Sequence, residues 1–134
     1  MKTVLVSNGH INQEPLTELL PLIDAMNIDL KGFTKEYYDY VGGNLECVKQ
    51  TIATAYRKCH VEVTTLIVPT KNDSVADMEK EAEWLAGLSA EIPLHISRYF
   101  PRYKSDIPAT PIEKIKELQE VAQKYLKHVH IGNC

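Results

Sequence analysis

Residues 61–68 read VEVTTLIV and are followed by Pro69, which makes this the most strand-like segment of the chain. Val, Ile, Leu and Thr favour the packed surface of a sheet, and proline ends a strand because it cannot donate a ladder hydrogen bond. Four other short segments have a strand pattern: residues 3–6, 28–30, 94–100 and 128–131. The segment 3–6 carries no charge and is largely apolar, which is typical of a strand buried on both faces.

The segments between these strands have helical patterns. Apolar residues recur there at intervals of three and four, which places them on one face of a helix. Ser74 has Asp77 three residues later, the spacing of a capping box. Thr110 and Glu113 repeat this spacing, and Asn44 is a favourable N-cap for a further helix. These signals predict helices beginning at all three places.

Strands and helices therefore alternate along the chain in the order βαβαβαβαβ. Such alternation with short connections predicts an α/β fold with right-handed parallel crossovers. The sheet can be open and doubly wound, or it can be a segment of a (β/α) barrel. Residues 34–40, which are rich in tyrosine, are predicted to form a helical turn and a loop. No internal boundary interrupts the pattern, so residues 1–134 are interpreted as one structural unit.

The composition excludes several classes of function. The 134 residues are 44% hydrophobic and 25% charged, which is ordinary for a soluble domain. A net charge of -3 and a pI near 5.9 provide no basic surface for nucleic acid. No apolar run approaches the roughly 20 residues of a membrane helix. The three cysteines form no CxxC or CxxxCxxC cluster, which favours reduced thiols in the cytoplasm and gives no metal site.

Polar residues gather where the predicted strands end. Asp29 and Lys31 are separated by one residue, so they point to the same face of a strand. The carboxylate can accept hydrogen bonds from hydroxyl or amino groups, and the ammonium can pair with a carboxylate or phosphate. A simple surface salt bridge between the two is the alternative interpretation. Because the carboxyl ends of parallel strands share one rim, a small-molecule site is predicted there.

Four motifs together resemble a known family. They are VSNG at 6–9, IDLK at 28–31, VTTLIVP at 63–69 and HISRYFP at 95–101. Their order and spacing resemble radical S-adenosylmethionine enzymes, in particular the pyruvate formate-lyase activating enzymes and the AmmeMemoRadiSam group. The resemblance covers nearly the whole chain. It implies part of a (β/α)6 barrel that in full length holds a [4Fe-4S] cluster and S-adenosylmethionine, and that cleaves the latter to a 5′-deoxyadenosyl radical.

The resemblance also implies site residues. In the family, the positions of Asp29 and Lys31 contact the ribose and the methionine carboxylate of the cofactor. The full set of cofactor-binding residues implied for this chain is Asn8, Gly9, Asp29, Lys31, Thr64 and Arg98. No catalytic residue and no metal ligand is implied.

Some family features are missing from these 134 residues. The cluster-binding CxxxCxxC loop and the GGE motif do not occur. Val6 stands where activating enzymes have Asp, Thr64 where they have Arg, and Phe100 near the position of a His. The chain is therefore predicted to be the C-terminal two-thirds of the barrel, to hold no cluster and to be inactive alone. The edge of its first strand, Thr3 to Val6, is predicted to promote self-association.

Two alternatives remain for the function. One is a non-catalytic barrel remnant that binds a nucleoside-like ligand or a partner subunit. The other is an unrelated α/β protein that binds a sugar phosphate, although the sequence has no glycine-rich phosphate loop. The aromatic cluster of Phe33, Tyr37, Tyr38 and Tyr40 is interpreted as packing between a helix and the barrel, with a ligand-lining role as the alternative. His128 and His130 could share a face and bind a metal only with a third ligand.

Overall fold

The computed structural model describes residues 4–9, 13–101 and 107–132. Five parallel strands form one sheet in the order β1-β2-β3-β4-β5. The strands are β1 (Val4–Ser7), β2 (Ala25–Asp29), β3 (His60–Ile67), β4 (Leu94–Arg98) and β5 (Val129–Gly132). The helices are α1 (Gln13–Leu19), α2 (Lys35–Val41), α3 (Leu45–Tyr56), α4 (Val75–Leu88) and α5 (Ile112–Gln123), and a 3-10 turn at Leu20–Leu22 follows α1. The predicted α/β fold with parallel strands is confirmed.

Among the described residues, all helices lie on one face of the sheet. When each strand lies beside the preceding one, right-handed crossovers place all connecting helices on the same side. Burial along β3 follows this rule, since Val61, Val63 and Ile67 are buried against the helices. The alternate residues Glu62 and Thr64 are only partly covered. We call the second side the open face, and its central side chains are Asn27, Asp29, Glu62, Thr64, His95, Ser97 and His130.

The first strand is not buried on both faces, so that prediction is wrong. Val4 is 60% exposed and Val6 is 72% exposed, while Leu5 between them packs against the core. The reason is the one-sided arrangement of the helices, which covers only every second residue of β1. Thr3, which the prediction included, lies outside the described residues.

Side-chain caps start three helices and are absent from another. Thr34, Asn44 and Ser74 each accept a hydrogen bond from the backbone N–H three residues later. The predicted capping box at Thr110 is wrong, because α5 starts without a side-chain cap. The buried Thr110 hydroxyl instead donates to Ile67 O at 2.6 Å and accepts from Tyr99 N at 3.1 Å. It thereby joins the ends of β3 and β4.

The bounds of the strands differ from their predicted positions by up to three residues, and one predicted loop is a helix. Strand β2 begins at Ala25, three residues before the predicted start, because it pairs with β3 from His60 onward. The segment expected to be a turn and loop forms helix α2, which ends where Gly42 adopts a left-handed φ of 80°. No helix among the described residues combines the length and apolarity required to span a bilayer.

A buried acid lies between the sheet and α4. Glu81 is 2% exposed, and its Oε2 lies 2.8 Å from Thr65 Oγ1, which lies 2.7 Å from Leu30 O. The threonine hydroxyl has one hydrogen, and a carbonyl oxygen can only accept. Thr65 therefore donates to Leu30, and Glu81 must be protonated to donate to Thr65. Burial raises the pKa of Glu81 to about 8, in agreement with this pattern.

This carboxyl should make stability depend on pH. Because its folded-state pKa of about 8 lies above the ordinary 4.5, its contribution is full below 4.5 and is lost as the pH rises through about 8. The free energy of unfolding should therefore decrease between about pH 5 and about pH 9. Glu81→Gln, which stays neutral, should flatten that decrease, while Glu120→Gln on the surface of α5 should not. Urea denaturation across this pH range measures both, and equal slopes in all three proteins would refute the prediction.

The exposed valines of β1 favour the predicted self-association. An edge strand with apolar side chains and free backbone groups favours pairing with a second copy, and a charge placed on it opposes pairing. We expect the molar mass measured by light scattering to rise with protein concentration, and Val6→Lys to abolish the rise. Val75→Lys, at an exposed valine of α4, is the matched control. A wild-type protein that stays monomeric at high concentration would contradict this.

Candidate functional site

A cavity of about 270 Å³ lies where β2, β3 and β4 end. Its walls combine charged, hydroxyl and apolar side chains: Asp29, Lys31, Tyr37, Val41, Thr64, Leu66 and Ser97. Three of the predicted site residues, Asp29, Lys31 and Thr64, thus lie around one cavity. The carboxyl ends of the strands of a parallel sheet are the usual place for a ligand site.

Strand register explains why these side chains meet. Asp29 and Thr64 are Cα partners in the β2–β3 ladder, so both project from the open face. Leu66 and Ser97 are partners one step further along, in the β3–β4 ladder. Lys31 lies two residues beyond Asp29 and therefore on the same side of the chain. The result is a carboxylate, an ammonium and two aliphatic hydroxyls within one cavity, beside the phenol of Tyr37.

The hydroxyl of Thr64 has a fixed partner. Its Oγ1 donates to Asn27 Oδ1 at 2.9 Å, across the β2–β3 ladder and one step below Asp29. With its hydrogen committed to Asn27, the threonine oxygen can offer a ligand only lone pairs. The apolar walls come from Val41, Leu66 and the ring of Tyr37. The site can therefore accept hydrogen bonds at one end, bind an anion at Lys31 and contact a flat apolar group.

Buried side chains hold the backbone of Lys31. Its N–H donates to Tyr38 Oη at 2.9 Å, and its carbonyl accepts from Asn72 Nδ2 at 2.7 Å. Asn72 Nδ2 also donates to Leu66 O at 2.8 Å, and Asn72 Oδ1 accepts from Val68 N at 2.7 Å. The two neighbouring strand ends are thus tied together by one amide side chain.

The phenol of Tyr38 is the deepest part of this arrangement. Tyr38 is 1% exposed, and burial raises the pKa of its hydroxyl far above the ordinary value, so the group stays neutral. The sequence pattern predicts a packing role for Tyr38 and gives no signal for Asn72. A buried tyrosine hydroxyl needs a polar partner, which is the signal that could have linked Tyr38 to the site. Tyr37 of the same cluster lines the cavity, as the alternative interpretation of that cluster proposed.

Asn8 and Gly9 form the turn after β1 and are not among the residues that line the cavity. Gly9 has a φ of 81°, and a Cβ there would lie 2.8 Å from Val48 Cγ1, so only glycine fits. Its N–H donates to Ser7 Oγ at 2.9 Å, and its carbonyl accepts from the buried Thr51 Oγ1 at 2.7 Å. The first contact stabilises the turn, and the second joins the end of β1 to α3. The cofactor role implied for both residues remains a prediction.

Arg98 lies away from the cavity. It follows Ser97 on β4 and so projects from the opposite side of the strand. Its Nε donates to Thr110 O at 2.5 Å, and its guanidinium lies 4.6 Å from the centre of the Phe100 ring. Its neighbour Ser97 lines the cavity, and the cofactor-binding role implied for Arg98 remains a prediction. The alternation of side chains along β4 is the signal that distinguishes the two.

The described residues do not provide a cluster site. Cys47 and Cys59 are free thiols near opposite ends of α3, and burial raises the pKa of Cys59. No group of three His, Cys, Asp or Glu side chains among the residues described is arranged to hold a metal ion. The rings of His95 and His130 stack with centroids 5.1 Å apart. The metal pair considered for His128 and His130 does not form, since these side chains lie against Glu91 and His95 respectively.

Comparison with solved structures identifies the fold. A domain of a pyruvate-formate lyase-activating enzyme from Bacteroides vulgatus superposes with a TM-score of 0.83 at 16% identity, over 99% of this chain and 82% of that one. A radical SAM methyltransferase from Sphaerobacter thermophilus gives 0.73 at 13% identity, over 96% and 39%. Archaeal TYW1 gives 0.63 at 17% identity, over 94% and 40%. The chain thus shares its fold with these solved structures of radical S-adenosylmethionine and related enzymes, as the sequence motifs predicted.

Comparison of sequences gives a longer relative. An uncharacterized protein of Methanocaldococcus jannaschii is 42% identical over 137 residues, which cover 99% of this chain and 40% of that protein. The chain therefore spans about 40% of the length of the curated relative it matches. No family model matches the sequence.

The anchoring of Lys31 leads to a stability prediction. Tyr38→Phe removes the hydroxyl that accepts the Lys31 N–H and leaves a partly buried donor without its partner. Such a loss costs about 1–3 kcal/mol of unfolding free energy. Tyr40→Phe, at an exposed ring of the same helix, is the control and should change it by less than about 0.5 kcal/mol. Urea denaturation measures both, and equal effects of the two substitutions would contradict the role of Tyr38.

Proposed function

We propose that this chain forms the S-adenosylmethionine-binding wall of a radical S-adenosylmethionine enzyme barrel. The observation that carries the proposal is the convergence of Asp29, Thr64 and Lys31 on one cavity at the carboxyl ends of parallel strands. The shared fold and the IDLK and VTTLIVP motifs support it. The proposal also holds that the full-length protein cleaves S-adenosylmethionine as a radical enzyme.

The donor set fits this cofactor chemically. Its ribose carries two neighbouring hydroxyls, which suit the Asp29 carboxylate as acceptor. Its methionine carboxylate suits the ammonium of Lys31. Tyr37, Val41 and Leu66 offer an apolar wall for the adenine. When bound, the cofactor supplies a hydrogen-abstracting radical upon reductive cleavage, and the residues of this chain hold and orient it.

Binding of a [4Fe-4S] cluster requires a further set of ligands. The cysteines of the sequence have no CxxxCxxC spacing, and the described residues contain no set of three metal-binding side chains. The residues described therefore do not fit a [4Fe-4S] cluster, and we assign none of them to it. The proposed role of this chain is limited to binding.

Titration calorimetry tests the proposal. S-adenosylmethionine should bind the wild-type chain, and Asp29→Asn or Lys31→Met should weaken binding about tenfold, which corresponds to about 1.4 kcal/mol. Asp39→Asn and Lys35→Met are matched controls, since these residues form an exposed ion pair 2.8 Å long on α2. They should leave the affinity unchanged. Tighter binding of ribose 5-phosphate than of S-adenosylmethionine would favour the sugar-phosphate alternative and overturn the proposal.

Reconstitution with iron and sulfide tests whether this chain only binds the cofactor or also cleaves it. After incubation of the chain with iron and sulfide under reducing conditions, we expect no [4Fe-4S] absorption band and no 5′-deoxyadenosine from added S-adenosylmethionine. The reason is the lack of a thiolate triad in the sequence. Appearance of the band together with 5′-deoxyadenosine would show that the chain is active alone.

A further inference from the structure

The open face continues beyond the cofactor cavity toward β5. Asp29, Thr64, His95 and His130 are successive Cα partners across β2, β3, β4 and β5, so their side chains form one row. Strands in a sheet are about 4.8 Å apart, which places the backbone of His95 about 10 Å from that of Asp29. A ligand in the cavity and a second molecule above His95 would therefore be neighbours.

His95 is held by a carboxylate. Its Nε2 lies 2.5 Å from Glu62 Oε1, and Glu62 Oε2 lies 3.0 Å from His60 Nε2. The hydrogen bond from His95 holds the pKa of Glu62 below its ordinary value, so the carboxylate is charged and can only accept. The hydrogen in this contact therefore belongs to His95 Nε2. This fixes the tautomer and leaves the lone pair on Nδ1.

The lone pair of Nδ1 has no hydrogen-bond partner among the described residues. The ring of His130 stacks on His95 at 5.1 Å with an interplanar angle of 28°, which fixes the plane of the imidazole. His95 and Glu62 each keep about a third of their side-chain surface exposed, 34% and 35%. The basic nitrogen thus belongs to a partly covered, oriented ring beside the cavity. In triads that transfer protons a carboxylate also orients an imidazole, although there it binds Nδ1 and the proton is accepted at Nε2.

We propose that His95 is a proton-accepting residue for a substrate bound on the open face beside the cofactor cavity, with Glu62 as its positioning residue. The substrate is a small molecule that presents a hydroxyl or ammonium group. The N–H bond at Nδ1 forms as the O–H or N–H bond of the substrate breaks, and the electron pair of that bond stays on the substrate. Glu62 balances the positive charge that the ring gains.

The groups that face this ring belong to three strands. Glu62 and, through it, His60 act from β3, His130 acts from β5, and Asp29 lies at the far end of the row on β2. Glu62 is therefore the charged group in direct contact with His95. The inference rests on the proposed function for the position of the cofactor, while the pairing of Glu62 with His95 is a property of this chain.

Acylation by diethyl pyrocarbonate at pH 8 measures the availability of the imidazole nitrogen, because an ordinary imidazole is largely deprotonated there. Peptide mass spectrometry gives the rate at each histidine of the full chain. We expect Glu62→Gln to slow acylation of His95 about threefold or more, since an amide can donate as well as accept and no longer fixes the lone pair of the ring on Nδ1. Glu62→Asp should restore much of the rate, which a purely structural role of Glu62 would not predict.

A second carboxylate–imidazole pair provides the control. His128 Nε2 lies 3.1 Å from Glu91 Oε2, but both side chains are about half exposed or more. Glu91→Gln should leave the rate at His95 unchanged and affect His128 little, because exposed ion pairs are screened by solvent. An identical His95 rate in wild type and Glu62→Gln would overturn the proposal, as would a His95 that reacts more slowly than His128.

S-adenosylmethionine titration separates this proposal from the proposed function. His95→Gln should bind S-adenosylmethionine as the wild type does, and Asp29→Asn should keep the wild-type acylation rate at His95. A wild type that fails to bind S-adenosylmethionine while Glu62 still accelerates acylation of His95 would defeat the proposed function and leave the proton-accepting site standing. Thermal denaturation of each variant confirms that differences in rate do not come from unfolding.

Discussion

Two hydrogen bonds hold the peptide groups on either side of the Lys31 Cα, and the arrangement of charge in the cavity depends on them. Strand β2 ends at Asp29, so Lys31 lies beyond the regular ladder. Tyr38 and Asn72 replace the missing strand partners with a phenol and an amide. Partial burial makes both contacts worth more than they would be in water, because an unpaired backbone group there is less accessible to solvent. The ammonium and the Asp29 carboxylate thereby keep one relative position.

Much of the fold follows from local patterns, and two of the exceptions, Thr110 and Glu81, have a common cause. The periods of apolar residues gave the five strands and the helices between them, and the spacing of Asp29 and Lys31 gave a shared face. Thr110 and Glu81 were misjudged or missed because their partners are distant in sequence. Thr110 matched a capping box, yet its hydroxyl joins two strand ends 11 and 43 residues away. Long-range pairing of this kind leaves no local spacing to detect.

The candidate site was predictable to the extent that it depends on strand parity. Asp29 and Lys31 are predicted to share a face, and both line the cavity. To assign Arg98 to a face, one must know which residues of β4 point to the open face. The structure shows that Ser97 does and that Arg98 contacts Thr110 instead. The role of Asn72 could not be derived, because this residue acts on the backbone of Lys31 from a segment that comes later in the chain. For Tyr38 the signal was the need of a buried hydroxyl for a polar partner. Side chains that position a site leave weaker signals than side chains that line it.

The sequential strand order also governs how the molecule can be assembled. Each strand pairs with the strand before it and the strand after it along the chain, with one crossover between them. Pairings of this kind close short loops, which keeps the entropic cost of each step low. A newly made strand finds its partner already in place, so the sheet can grow from β1 toward β5 during synthesis. The cavity is completed when β4 joins, since Ser97 supplies its last wall.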